Sequence, residues 1–194
     1  MSPDLQNKLY AKYPILFKEK DLPATKSCMA FGLEIGDGWY EIMDALCETV
    51  SALYSTSAYI DEEGAKKFSV PQPAGNNFAP SKPIVMIDSP KVVFVQVKEK
   101  FGALRIYYRL EFDKVVEDLW EFREYPSLET TMHNYSSVVD GAIRFAETLS
   151  LRTCEQTGTP GSLSSRNGWL KVLCPERAAE LGFVPYKVKT PEAV

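Results

Sequence analysis

Hydrophobic residues along this chain follow two periods, and each names an element. In "GDGWYEIMDALCETVSALYS" the residues Trp39, Met43, Leu46, Cys47, Val50, Leu53 and Tyr54 recur every three or four positions. That spacing predicts an amphipathic helix with one buried stripe. The same period returns in "NYSSVVDGAIRFAETLSLRTCE" and puts Tyr135, Val138, Val139, Ala142, Phe145, Ala146 and Leu149 on one face of a second helix. Gly141 inside it costs about 1 kcal/mol relative to alanine, which a packed helix tolerates. Three other runs, "PIVMID", "KVVFVQV" and "ALRIYYRLEF", are rich in β-branched and aromatic residues, and the last two are joined by "KEKFG". They predict an antiparallel sheet. Because strand side chains alternate, Leu104, Ile106, Tyr108 and Leu110 are expected to face the core, with Arg105, Tyr107 and Arg109 facing solvent.

Residues that break these patterns set the boundaries. Ser2 and Pro3 start a short helix that ends before Pro14. The run "SVPQPAGNNFAPSKP", residues 69–83, is too rich in Pro, Gly and Asn for a helix or central strand and reads as a long exposed loop. A short helix in "VVEDLWEFREYP" is expected to stop at Pro126, and Pro175 and Gly182 bracket a last helical turn or two. The chain contains no internal repeat. The expected fold is α+β: a small antiparallel sheet packed by two main helices in a core domain, 1–150, with a ribbon-like appendage, 151–194.

Composition narrows the function classes. A chain of 194 residues, 45% hydrophobic and 25% charged, is long enough to bury a core and is read as one compact unit. A net charge of -4 suits neither a basic nucleic-acid glove nor an acidic mimic of nucleic acid, so a charged partner must be met by a local patch. Cys28, Cys47, Cys154 and Cys174 are too few and too dispersed for a secreted disulfide scaffold, which points to a reducing cytoplasm. The opening "MSPDLQNKLYAKYP" has no basic region leading into an apolar one, and no later run reaches bilayer length. The expectation is a protein neither exported nor membrane-spanning, in which the sequon at Asn134 carries no weight.

Candidate chemistry collects in three places. From Thr153 to Glu176, "TCEQTGTPGSLSSRNGWLKVLCPE" is spaced like a zinc ribbon whose two Cys-x-x-Cys hooks begin at Cys154 and Cys174, but Thr157 and Arg177 stand where the second sulfurs belong. Structural zinc wants four N or S ligands, so the expectation is a metal-free tail with neighbouring sulfurs, held by apolar contacts of Trp169, Leu170 and Leu173. His133, the sole histidine, is a possible further ligand and leaves a fourth unnamed. In "EIGDGWYE", Glu34 and Asp37 form either an acid–base pair or, for Asp37, a cap on the following helix with Gly36 and Gly38 easing the approach. Cys28 and Cys47 have no histidine nearby in sequence, and Cys47 falls on the core stripe. The hairpin "VKEKFGALRIYYR" interleaves Lys98, Lys100, Arg105 and Arg109 with Phe101 and Tyr107. That mixture suits a phosphate backbone and a stacked base, or simply the wet face of a sheet. Neither a Gly-x-x-x-x-Gly-Lys loop nor a nameable Ser-His-Asp set is present.

The segments "KYPILF", "CMAFGLEIGDGWYEIMDALC", "VQVKEKFGALRIYY", "AETLSLRTCEQTGTPG" and "GWLKVLC" resemble an uncharacterised family of small proteins of phages and prophages. The likeness covers most of the chain except the Pro-rich loop and the stretch around Trp120. Cys154, Gly158, Pro160, Gly161, Gly168, Trp169 and Cys174 match the family's C-terminal pattern, while Thr157 and Arg177 depart from it. The resemblance implies a phage or prophage origin and brings no established activity. Three readings stand: a non-enzymatic accessory protein that binds a host protein or complex, with inhibition of a host defence system one form of it; a nucleic-acid-binding module; and an enzyme built on Glu34, Asp37 or Asp44. No cofactor is expected, and the setting is the bacterial host cytoplasm.

Overall fold

Pro3, with no N–H to leave unsatisfied, opens helix α1 (Pro3–Lys12), which stops before Pro14 as the sequence predicts. The structure, a computed structural model, describes residues 1–53, 55–59, 84–88, 90–111 and 126–187. The expected loop 69–83 and the expected short helix before Pro126 lie outside the described residues. After α1 the chain runs through a 3-10 turn (Cys28–Phe31), where Ser27 Oγ accepts the Met29 N–H at 3.2 Å, into strand β1 (Leu33–Glu34). A second 3-10 turn (Asp37–Trp39) leads directly into α2 (Tyr40–Ser51). Trp39, Ile42, Met43, Leu46, Cys47 and Val50 are all buried, the stripe the periodicity called for with Ile42 added.

The strands are β2 (Ser55–Tyr59), β3 (Ile84–Asp88), β4 (Lys91–Lys100) and β5 (Ala103–Glu111). Here the expected three-stranded sheet is corrected. β3 pairs with β2, a strand the periodicity did not reveal, while β4 pairs with β5 and takes β1 in parallel on its other side. A bulge between Phe94 and Gln96 shifts the parity of β4. Val92 and Phe94 before it, and Val97 after it, therefore all reach the core, opposite Leu110, Tyr108 and Ile106 of β5. The alternation expected for β5 holds: Leu104 and Ile106 are buried, Tyr108 and Leu110 half-buried, and Tyr107 and Arg109 exposed.

Helix α3 (Pro126–Ser150) begins at Pro126, earlier than the expected second helix. Its buried face carries Tyr135, Val139, Ile143, Ala146 and Ser150, whereas Val138, Phe145 and Leu149 are exposed. The expected stripe is thus rotated, and β5 supplies the reason. Among the described residues one edge of β5 has no partner strand, and α3 covers it with polar side chains. The Ser150 hydroxyl accepts the Leu104 N–H at 2.9 Å, and Glu147 accepts the Ile106 N–H at 3.3 Å. Tyr108 reaches the same helix by donating to Asp140 at 2.8 Å.

The tail is a second, smaller layer. β6 (Ser162–Arg166) pairs with β7 (Trp169–Leu173) and with the short β8 (Val184–Pro185), and α4 (Pro175–Leu181) ends at Gly182 in the left-handed conformation. Cys154, Leu173, Cys174, Ala178 and Phe183 form its own buried cluster. The whole is α+β, small antiparallel-rich sheets packed by helices. No helix among the described residues is long and apolar enough to cross a membrane.

Candidate functional site

The tail begins as a tight knuckle. Cys154 N–H donates to Thr159 O at 2.7 Å, and Gly158 N–H returns to Cys154 O at 2.9 Å, so the chain folds around the Cys154 sulfur. Cys174 sits opposite, at the start of α4. The Thr157 hydroxyl donates to Cys174 Sγ at 3.8 Å, and both cysteines belong to the tail's buried cluster. The two positions that lack a ligand residue instead bond across the gap, Thr157 to Cys174 and Arg177 Nε to Gln156 Oε1 at 2.7 Å.

The tail is therefore held by hydrogen bonds as well as by the expected apolar contacts. One of those contacts is corrected: Leu173 is buried, but Trp169 is 74% exposed. Asn167 and Gly168 both have positive φ, the signature of a type I′ turn, which puts Trp169 at the hairpin tip rather than in the core. His133 is exposed, and no three His, Cys, Asp or Glu side chains among the described residues converge on a common point. His133 thus does not join the two sulfurs. Burial pushes the Cys154 thiol up, but the Thr157 hydroxyl and the backbone N–H groups of Cys174, Gln156 and Thr157 more than offset this and hold it below the ordinary cysteine range.

The segment "GDGWY" is the seat of this knuckle. A Cβ on Gly36 would lie 2.1 Å from Glu155 O, and one on Gly38 would lie 2.2 Å from Cys154 O and 2.3 Å from Gly158 N. Only glycine lets the two backbones approach this closely. Gly38 N–H donates to Glu155 O at 2.8 Å, and the buried Trp39 indole donates to Thr153 O at 2.8 Å. The expected capping role of Asp37 is corrected: its carboxylate makes no cap bond on the following helix and accepts the Ser2 N–H at 2.6 Å, fastening α1 instead. Glu34 and Asp37 are both exposed. Asp44 is tied down by Lys12 at 2.8 Å and by the Tyr13 hydroxyl at 2.9 Å. Burial pushes the Cys47 thiol up, as suits a core residue rather than a nucleophile.

Between core and tail opens a cleft of about 400 Å³ lined in part by Glu34, Lys98, Glu99, Glu155 and Lys171. Its charges alternate, and the buried Glu155 is paired with Lys171 at 2.8 Å. The cleft presents no field of one sign.

The β4–β5 hairpin brings the expected binding residues together but does not leave all of them available. Phe101 and Gly102 both have positive φ, again a type I′ turn, and Phe101 is 72% exposed at its tip. Gly102 rests on the tail, since a Cβ there would meet Leu163 Cδ1 at 2.4 Å. Lys98 lies over the Tyr107 ring at 5.5 Å and Lys100 over Phe101 at 5.4 Å. Arg109 is committed elsewhere: it bonds Glu19 at 2.7 Å and Glu111 at 2.5 Å, and Lys18 also pairs with Glu111. Arg105 points to Glu147 at 3.4 Å. Burial raises the Glu19 and Glu111 carboxyls, but Ser27 and Arg109 at the first, and Lys18 and Arg109 at the second, hold both below their ordinary range.

Fold and site together define an α+β protein with a ribbon-like tail keyed into its core and two aromatic hairpin tips. Compared with protein-family models, with curated proteins and with solved structures, the chain finds no match.

Proposed function

We propose that the chain is a non-enzymatic accessory protein of phage or prophage origin that works by binding a host protein, with its two hairpin tips as the contact. One observation carries this reading: Phe101 and Trp169 stand 72% and 74% exposed on braced type I′ turns. Large aromatic side chains dominate the energetics of protein interfaces, and a fold gains little by leaving them in water. Blocking a host defence complex is one form such binding would take. The nucleic-acid reading is weakened because two of its four hairpin cations, Arg105 and Arg109, face carboxylates of the same chain. Bound phosphates would have to compete with those pairs.

The test is affinity capture with the full chain from host cells, followed by reconstitution with the purified candidate. Phe101→Ser and Trp169→Ser should each weaken a direct complex by ~2 kcal/mol, roughly thirtyfold, without lowering the melting temperature. Binding untouched by both substitutions, or turnover of a substrate without any host protein bound, refutes the reading. Affinity for DNA or RNA that falls steeply with added salt transfers it to the nucleic-acid class.

A further inference from the structure

A cleft of about 580 Å³ opens between α1 and the 3-10 turn Cys28–Phe31, elements that carry neither hairpin tip. We propose that it binds a nucleoside monophosphate, with the base against the Phe31 ring, the edge of the base at the Asn7 amide and the phosphate on Lys20. All three residues line the cleft.

One wall holds an aromatic ring in water. Phe31 is 64% exposed, yet the turn that carries it is braced from within and from α1. Ser27 Oγ accepts the Met29 N–H at 3.2 Å, Gly32 N–H donates to Met29 O at 2.9 Å, and Gln6 Oε1 accepts the Leu33 N–H at 2.9 Å. Gly32 lies so close to α1 that a Cβ there would meet Gln6 Oε1 at 2.5 Å. A ring fixed in this way gives up little freedom when a base stacks on it. Gln6 is fully used, since it also accepts from the Tyr10 hydroxyl at 3.0 Å and donates to Met1 O at 2.7 Å. Asn7 is exposed, and its amide is tied to no other side chain among the described residues. An amide offers a donor and an acceptor side by side, which matches the edge of a nucleobase.

The charge held against the cleft wall is positive. Lys20 pairs with Asp21, but the lysine side chain is only 33% exposed and its ammonium lies over the Tyr10 ring at 5.9 Å, whereas the Asp21 side chain is 82% exposed. So exposed a pair holds the ammonium weakly, and a phosphate offers it a stronger acceptor. Ala11, Met29 and Ala30 add apolar lining. Size agrees with a base, sugar and phosphate together: small-molecule clefts run from about 300 to 1,000 Å³, and a lone phosphate or single ring would leave most of this one to water.

The experiment is a ligand-observed NMR titration of the full chain with each of the common ribonucleoside 5′-monophosphates. The matching nucleoside, a ring without the anion, and ribose 5-phosphate, an anion without the ring, form separate arms. At least one monophosphate should bind, and its nucleoside and ribose 5-phosphate should each bind at least about tenfold more weakly. Phe31→Ser should weaken the monophosphate at least about fivefold, the low end of what one stacked base contributes. Lys20→Gln should bring the monophosphate down to the affinity of its nucleoside. Phe145→Ser, which removes a similarly exposed ring from α3, should change nothing. Should Phe31→Ser alter the fold by near-UV circular dichroism, Lys20→Gln decides the matter. No binding of any monophosphate, ribose 5-phosphate bound as tightly as the monophosphate, or full affinity in a folded Phe31→Ser or Lys20→Gln protein each overturns the proposal.

Discussion

Replacing Ser150 by alanine removes one oxygen and strands one buried backbone donor. Ser150 is completely buried at the end of α3, and its hydroxyl accepts the Leu104 N–H at 2.9 Å while donating to Glu147 O at 2.6 Å. Leu104 is itself fully buried, on the strand edge that has no partner strand among the described residues, and its burial keeps water from substituting in place. An unsatisfied buried donor costs about 1–3 kcal/mol. The better helix propensity of alanine returns at most about 0.5 kcal/mol, and less at a helix end. The net loss should be roughly 1–2.5 kcal/mol, which for a chain of this size lowers the melting temperature by about 2–10 °C. Urea unfolding with an unchanged slope, together with faster hydrogen exchange at the Leu104 amide, would check both the size and the place of the effect. Thr148→Ala is the control, because its hydroxyl also bonds a helix carbonyl, Arg144 O at 2.8 Å, but in an exposed position. If Ser150→Ala is as stable as Thr148→Ala, the edge-capping argument fails.

Gly38→Ala should undock the tail, since its Cβ would sit 2.2 Å from Cys154 O; limited proteolysis between core and tail should speed up, and unchanged proteolysis would contradict the seat. Arg109→Gln leaves the buried Glu19 carboxylate without its arginine partner and should cost ~1–3 kcal/mol at pH 7, discounted because the arginine is 45% exposed. With Glu19 and Glu111 held below the usual carboxylate range, their contribution is present above about pH 4.5 and is lost as pH falls through the lowered values. Urea midpoints at pH 7 and pH 3.5 should therefore differ more in the parent protein than in Arg109→Gln, and equal differences would remove the pairing account. Trp169→Ser should leave stability within about 0.5 kcal/mol, whereas Trp39→Phe, which loses the bond to Thr153 O, should not; similar thermal melts for the two would argue against this contrast.

Helix α2 was legible in the sequence because its periodicity answers to one apolar core, and Trp39, Met43 and Val50 each bury where the period puts them. Helix α3 was legible as a helix but not in its rotation. Ser150 and Glu147 turn inward to serve the backbone of β5, and that demand comes from a strand more than 40 residues away, not from hydrophobicity. Strand β2, "STSAY", carries short polar residues with no alternation and exists through its pairing with β3. The hairpin "KEKFG" and the β6–β7 turn at Asn167 and Gly168 were readable from turn chemistry, and that chemistry also contained the signal for an exposed Trp169. Gly36 and Gly38 looked like helix-entry residues because local rules offer only that use. Their actual constraint is set by the backbone of Glu155 and Cys154, which no local window contains.

That last contact also bears on how the chain is made. The bond from Trp39 to Thr153 joins residues 114 apart, so the socket at "GDGWY" waits through most of synthesis for the segment that fills it. Closing so long a loop is slow compared with forming a local helix. During that interval a buried-type indole and two bare glycine backbones face solvent or a chaperone. A ribosome-stalled chain cut short of Thr153 should show quenchable Trp39 fluorescence, and one extended past Pro160 should not.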